Sequence, residues 1–177
     1  IESFGEHGGG SMAYFIRPSY DSATGHFHVR YTHLGDRFRD NVNSIGFITD
    51  DNRREVDSAA EKTWWPTGGP LERVQYDSNY NVYWAADSDV LRSWKVDQRF
   101  EFETRSRLLF VVDYTEEFKL FEKEFRNREV GFLVGYNTRE FNSVMFLYGS
   151  GTAFDSDFDL YSVMTAFKFT EQLSVEY

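Results

Sequence analysis

The stretch that decides the fold runs from Trp94 to Glu103 and reads WKVDQRFEFE. Apolar side chains recur at every second position, interrupted only by Gln98, and charged residues lie between them. Successive side chains of a β-strand point to opposite faces of a sheet, so this period of two predicts a strand with one apolar and one charged face. The charged face carries five residues: Lys95, Asp97, Arg99, Glu101 and Glu103.

The same alternation recurs along most of the chain. It is seen at 27–31, 76–84, 108–114, 130–136, 144–148, 161–169 and 173–177. A weaker segment, 12–20, contains Pro18, which cannot donate to a ladder and so marks an edge or a strand end. The segment 41–49 is either one more strand or an inserted loop. We therefore expect an all-β, antiparallel fold of about eight to ten strands.

The connections between these segments differ in length. Short ones are expected near 21–25, 104–106, 137–140 and 170–171, and long polar ones at 35–70, 115–124 and 149–157. The segment 115–128 has phenylalanines at helical spacing, so it forms either a short helical loop or an extended hairpin. The predicted organisation is a Gly-rich lead-in over 1–11 and a β-barrel domain over 12–177. Alternating short turns and long outer loops are typical of membrane barrels.

Composition excludes several classes of protein. The 177 residues carry a net charge of −10, which argues against nucleic acid as a partner. The absence of cysteine removes disulfides and zinc–thiolate sites, and no cofactor is expected. Aromatic residues make up 19% of a chain whose mean hydropathy is −0.55, which argues against disorder. The longest apolar runs have five residues, too short for a membrane helix of about 20, although a spanning strand needs only ~9–11.

Alternation alone fits two architectures, because a soluble barrel buries its apolar face inside whereas a membrane barrel turns it toward lipid. Aromatic residues at the ends of the predicted segments favour the membrane barrel, since such rings form interfacial girdles. They are Trp84, Trp94, Tyr114, Tyr136, Tyr148, Tyr161 and Phe169. We therefore predict a porin-like barrel in the bacterial outer membrane, with the lipid bilayer as partner. Its expected role is a pore, transport or surface scaffold, with the five charged residues from Lys95 to Glu103 lining the lumen. The alternative is a soluble β-barrel or β-sandwich that binds a carbohydrate or an apolar ligand.

Three smaller patterns suggest binding or chemistry. Trp64 and Trp65 are adjacent and could stack on a sugar ring or anchor a loop at the membrane interface. The carboxylates of Asp155, Asp157 and Asp159 resemble an oxygen-rich calcium site, but the glycine and the distal glutamate of an EF-hand loop are missing. They equally suit a solvated strand entrance.

His26 and His28 share a strand face at a spacing that could bind a metal, although no third ligand is evident. No catalytic motif is found, so an enzyme is not expected. A hydrolase site built from scattered residues, with His26, His28 and His33 as the histidines to test, is the one enzymatic alternative.

Two runs carry a resemblance to a known family. The first reads GHFHVRYTHLGDRF over 25–38 and continues through Val42 to Gly46-Phe47-Ile48; the second includes the Tyr148-Gly149-Ser150-Gly151 turn. These resemble a bacterial family of uncharacterised proteins with an N-terminal domain similar to family-nine carbohydrate-binding modules, followed by an outer-membrane β-barrel. The resemblance implies that this chain is the later, C-terminal part of a larger barrel, with the remaining N-terminal strands as partner. It also implies a link to glycan binding or uptake. It assigns no functional residue.

Overall fold

A computed structural model describes residues 2–3, 12–38, 51–168 and 174–176. It is built from twelve antiparallel strands, which confirms the all-β prediction. The strands are β1 (Glu2–Ser3), β2 (Met12–Ile16), β3 (Ser19–Ser22), β4 (Gly25–Leu34), β5 (Arg53–Trp64), β6 (Leu71–Ala85), β7 (Leu91–Thr104), β8 (Leu108–Leu120), β9 (Glu124–Tyr136), β10 (Ser143–Ala153), β11 (Ser156–Lys168) and β12 (Ser174–Glu176).

The strands form one meandering sheet in which chain neighbours pair. The order is β1-β2-β4-β5-β6-β7-β8-β9-β10-β11-β12, and β3 also pairs with β4. β2 and β3 lie in line along β4, separated at Arg17 and Pro18, where proline interrupts the ladder. Nine positions across the sheet hold strands of four residues or more, within the predicted eight to ten. No pairing closes the sheet between its outer strands in the described part of the chain.

The prediction of a long loop over 35–70 is wrong for residues 53–64. Residues Arg53–Trp64 form β5, which pairs with β6 along its whole length and with β4 as far as Lys62. The segment was missed because it is polar on both faces, with Val56 and Trp64 as its only large apolar residues. Backbone hydrogen bonds to two neighbours, rather than amphipathic patterning, therefore make it a strand.

The predictions of long connections at 115–124 and 149–157 are also wrong. β8 and β9 stay paired as far as Leu120 and Glu124, so the extended hairpin is confirmed over the helical alternative and only 121–123 connect the strands. β10 and β11 stay paired to Ala153 and Ser156, leaving a two-residue turn. Both turn residues, Phe154 and Asp155, have positive φ, as a tight hairpin requires, but neither residue type signals such a turn.

The sheet has two ends, defined by its connections, and two faces, defined by its side chains. The near end carries the connections 23–24, 65–70, 105–107 and 137–142; the far end carries 86–90, 121–123 and 154–155. The register of the pairs joins Trp94, Phe100 and Phe102 to one face, which we call the apolar face. The five charged residues from Lys95 to Glu103 share the other, which we call the polar face.

Several sequence predictions lie outside the described residues. These are most of the lead-in at 1–11, the segment 41–49, the aromatic at 169 and the connection at 170–171.

Candidate functional site: a polar concave face

The polar face is concave. One cavity of about 530 Å³ is lined by residues from every strand between β4 and β10, for example His26 on β4 and Leu147 on β10. A single cavity touched on the polar face by seven consecutive strands indicates that the sheet curls toward that face, with the apolar face on its convex side.

Exposure differs between the faces in the reverse of the usual sense. On the convex side Phe100 is 44% exposed and Phe132 is 46% exposed. On the concave side the charged side chains of Arg73 and Glu101 are only 18% and 14% exposed. The described residues contain few buried hydrophobic side chains: Phe38, Ala85, Val111 and Phe118. The sheet thus shelters charge and presents apolar groups outward.

Ion pairs link the sheltered charges into one network. Arg99 bonds Asp113 at 2.9 Å and reaches Glu101 at 3.4 Å. Arg73 pairs with Glu101 and, at 3.2 Å, with Glu103. The outer pair, Arg99 and Asp113, is 42% and 41% exposed, whereas Glu101 and Glu103 are 14% and 9% exposed. Because buried charges are costly unless paired and hydrogen-bonded, the ion pairs with Arg73 explain how the concave face holds these two glutamates.

The network ends on a loop at the near end. Arg139, in the connection 137–142, forms an ion pair with Glu103 and lies 3.9 Å from Glu72. Thr138 lies over Gly135, where a Cβ atom would come within 2.6 Å of its Cγ2. The connection therefore folds over the concave face instead of extending beyond the sheet.

The five predicted lumen-lining residues lie at different heights along β7 between the near end and the far end of the sheet. Asp97 and Arg99 line the main cavity. Glu101 and Glu103 form ion pairs with Arg73 closer to the near end. Lys95 pairs with Asp97 at 2.8 Å toward the far end. All five share the concave face, as the alternation predicted. Whether that face lines a lumen stays a prediction.

Sequence reasoning missed most of the cavity wall. Acidic residues dominate it: Glu61, Asp77, Asp97, Asp113 and Glu129, against Arg99. Asp97 is the one acid of this wall among the five predicted residues; Glu61 was missed with the rest of β5, and Asp77, Asp113 and Glu129 needed the register between strands. Gly131 and Gly149 lie directly opposite each other in the wall and contribute no side chains to it, whereas Glu129 and Leu147 beside them do.

The convex face carries an apolar band at its near-end half. On β8 the band runs from Leu108 through Phe110 and Val112 to Tyr114, and matching residues follow on β9 and β10. Tyr114, Tyr148 and Tyr161 stand at its far border, and polar residues continue beyond them toward the far end.

The aromatic prediction is therefore wrong in one respect. Tyr114, Tyr148 and Tyr161 lie in the middle of their strands, not at strand ends. They mark where the apolar alternation stops while the paired strands continue. Trp84 and Tyr136 do lie at or next to strand ends, and Trp94 lies near the start of β7.

Beyond the tyrosines the strands are more polar, although Phe118 on β8 is buried opposite Trp94 of β7 on the same face. Glu116 on the apolar face accepts a hydrogen bond from the Tyr114 hydroxyl at 2.7 Å and pairs with Arg128 at 3.2 Å. These two contacts lower the pKa of Glu116 below its ordinary value. The far-end hairpins therefore combine exposed ion pairs with a cluster of Phe121, Phe125 and Phe154, and they extend past the tyrosines.

Two histidines meet on the concave face. His26 Nε2 lies 2.8 Å from His28 Nδ1, and the other ring nitrogens contact Asp21 at 2.5 Å and Asp57 at 3.5 Å. His33 lies on the opposite face of β4, stacked on Tyr14. The three histidines of the hydrolase alternative therefore do not converge.

The two tryptophans are exposed but do not form a concave site. Trp64 ends β5 and is 46% exposed, and Trp65 in the following connection is 54% exposed. Arg105 from the neighbouring turn donates hydrogen bonds to the carbonyls of Pro66 and Gly69, which holds this connection in place. Sugar stacking by these rings stays a prediction.

The three aspartates of the calcium pattern do not converge. Asp155 lies in the β10–β11 turn and pairs with Lys123, whereas Asp157 accepts from Thr152 and Asp159 from Tyr148. Over the described residues, no group of three or more His, Asp or Glu side chains is placed to hold a metal ion. The solvated strand entrance describes this segment better.

Fold and site together define an open, curled antiparallel sheet with a charged concave face and an apolar convex face. No family model, curated protein or solved structure matches this chain. The family resemblance carried by 25–48 thus stays a prediction. No helix among the described residues is long and apolar enough to span a membrane.

Proposed function

We propose that this chain forms the wall of a bacterial outer-membrane β-barrel, acting as a pore, transport or surface scaffold around a polar lumen. The observation that carries the proposal is the direction of curl. A soluble barrel of the same alternation would enclose Phe100, Phe110 and Phe132, yet these side chains lie on the convex side. An apolar convex surface and a charged concave one are what a barrel in lipid requires.

The borders of the apolar band support the same proposal. Tyrosines line its far edge, where aromatic rings of membrane barrels lie in the headgroup region. On β7 the band extends from Trp94 to Phe102, nine residues, but on β8 only from Leu108 to Tyr114, seven residues. A tilted spanning strand has ~9–11 residues, which the apolar stretch of β7 meets; the stretch of β8 stops at Tyr114, although Phe118 lies further along the strand, opposite Trp94.

The uncovered edge of β11 requires a further strand to pair with it in a membrane barrel. In the described residues β12 covers only the last three residues of β11, Ala166–Lys168. In lipid each unpaired backbone group costs several kcal/mol, so the rest of the β11 edge must pair with another strand. That strand is either the opposite edge of this sheet or one of the further barrel strands implied by the resemblance.

The test is folding with and without lipid. The chain is unfolded in urea and diluted into buffer alone, into detergent micelles and into lipid vesicles. In the lipid and detergent samples, but not in buffer alone, we expect a β-rich circular dichroism spectrum and a gel mobility that changes on boiling. In the lipid sample we also expect the chain to float with the vesicles. A monodisperse β-rich monomer in buffer that does not float with vesicles would contradict the proposal and favour the soluble ligand-binding alternative.

Pore function has a separate readout. Vesicles that carry the folded chain are fused to a planar bilayer, and ionic current is recorded. Current steps would support a pore, whereas a folded, inserted but silent protein would leave the scaffold role.

A further inference from the structure

The histidine pair on β4 has the geometry of a metal site with an open coordination sphere. Two nitrogens bound ~2.0 Å from a square-planar ion at neighbouring positions lie ~2.8 Å apart, and in a tetrahedral site ~3.3 Å apart. The distance from His26 Nε2 to His28 Nδ1 is 2.8 Å. The two rings are tilted by 59° and share a hydrogen bond through these nitrogens, so each ring has to turn for both lone pairs to meet at one ion.

Both imidazoles are supported from behind. Asp21 contacts His26 Nδ1 at 2.5 Å, and Asp57 lies 3.5 Å from His28 Nε2. A carboxylate on the far nitrogen fixes the tautomer of a metal-bound histidine and raises its basicity. Arg30 holds Asp57 in turn at 3.2 Å. This pattern leaves the two facing nitrogens as the available ligands.

The pair is also accessible to an ion. The His26 and His28 side chains are 30% and 12% exposed, and His26 lines the main cavity together with Glu61, its cross-strand neighbour. Since acidic side chains dominate the cavity, a cation is attracted to it. The cavity leaves space for water to complete the coordination.

We propose that His26 and His28 bind a divalent transition-metal ion through two imidazole nitrogens, with water in the remaining positions. Imidazole ligands suit Cu²⁺, Ni²⁺ and Zn²⁺, and Cu²⁺ binds most tightly in this series. Mg²⁺ and Ca²⁺ prefer oxygen ligands and are expected to bind elsewhere or not at all. The site does not depend on insertion into a membrane.

Binding must compete with a proton. In the metal-free pair one N–H proton lies between the two facing nitrogens, and an ion between them displaces it. Affinity therefore falls as the pH is lowered. The charges around the pair are Asp21, Asp57, Glu61 and Arg30, three acidic against one basic.

The test uses the complete chain, folded in buffer, detergent or vesicles, with Cu²⁺, Zn²⁺ or Ca²⁺ added as the chloride. The chain has four histidines, so His7→Ala with His33→Ala leaves only the proposed pair, and replacing all four gives a blank. Calorimetry measures affinity, and electron paramagnetic resonance of Cu²⁺ counts the coordinated nitrogens. We expect one ion per chain with two nitrogen ligands in both the unsubstituted chain and the two-histidine variant.

Single substitutions assign the ligands and the supporting carboxylates. His26→Ala or His28→Ala should weaken Cu²⁺ binding to the level of the blank, whereas His33→Ala alone should leave it unchanged. Asp21→Asn should weaken it by roughly 10-fold, in the range of carboxylates that support a ligating histidine. Should the two-histidine variant bind no better than the blank, or should the Cu²⁺ spectrum of the unsubstituted chain lack two nitrogens, the proposal fails. The spectrum needs no substitution and so holds even if a variant misfolds.

Discussion

A single arginine placed on either face of β8 distinguishes a membrane barrel from a soluble one. Val112 lies on the convex face, 36% exposed, between Phe100 and Phe132 on the neighbouring strands. Thr115, three residues further along, lies on the concave face and donates a hydrogen bond to Asp97 at 2.7 Å. Val112→Arg and Thr115→Arg therefore add the same group to the same strand on opposite faces.

The expected cost of each change follows from its surroundings. Val112 is inside the band that runs from Leu108 to Tyr114, and an arginine on the lipid face near the bilayer midplane costs ~2–4 kcal/mol. That corresponds to a folding equilibrium constant lowered by about 30- to 900-fold. At Thr115 the lost hydrogen bond is worth ~0.5–1.5 kcal/mol, and attraction to Asp97 and Glu129 offsets it. The control should therefore remain within ~1 kcal/mol of the unsubstituted chain.

The assay is urea unfolding of the folded chain from lipid vesicles, followed by tryptophan fluorescence and by gel mobility. A convex surface that faces water predicts a different result, since surface substitutions change stability by about ±0.5 kcal/mol or less. Equal stability of the two variants would refute a lipid-facing convex band. A larger loss for Thr115→Arg would refute the assignment of the faces.

Three further changes test the sheet, the cavity and one ionised group. Gly151→Ala should destabilise the fold by ~1–3 kcal/mol, because its Cβ would lie 2.1 Å from the carbonyl oxygen of Arg128, whereas Gly68→Ala, with no atom within 4 Å, should be neutral in the same denaturant titration. Gly149→Phe should place a ring in the cavity and lower any single-channel conductance, and Gly149→Ala, whose Cβ makes ordinary contacts at 3.4 and 3.8 Å, is the control; equal conductance would separate the current path from the cavity. Because the pKa of Glu116 is lowered in the folded chain, its ionised form stabilises the fold above the unfolded-state pKa, and that contribution disappears as the pH falls through the lowered value. Glu116→Gln should therefore make the free energy of unfolding depend less on pH in this range. An unchanged pH profile would contradict this expectation.

The strands that sequence predicted correctly are those in which one face is strongly apolar. β7 and β9 alternate so regularly that their existence and the assignment of faces follow from the period of two. β5 was missed because its two faces are both polar. The far-end half of β8 was ambiguous because phenylalanines recur there at helical spacing, and the far-end half of β10, GSGTA, has only small residues. Hydrophobic patterning reports burial or contact with lipid, not hydrogen bonding, so a strand supported mainly by its ladders gives no such signal.

The candidate site was predictable only in part. Lys95 to Glu103 were placed on one face from a single strand, because that requires no partner. The cavity needed Asp113 and Glu129 to align with Asp97 across two ladders, and register is not visible in one sequence without turn signals. The turn at Phe154 carries no such signal.

The distinction between the soluble and the membrane interpretation was hidden from the sequence for a geometric reason. Both architectures use the same alternation along each strand and differ only in the direction in which the sheet bends. That direction becomes visible when His26 and Leu147, six strand positions apart, line one cavity on the charged face. Ion pairs such as Arg73 with Glu103 then satisfy the sheltered charges, and the phenylalanines lie on the convex side. In water this arrangement exposes apolar surface that the curl could have buried, whereas in lipid the same surface needs no protein cover.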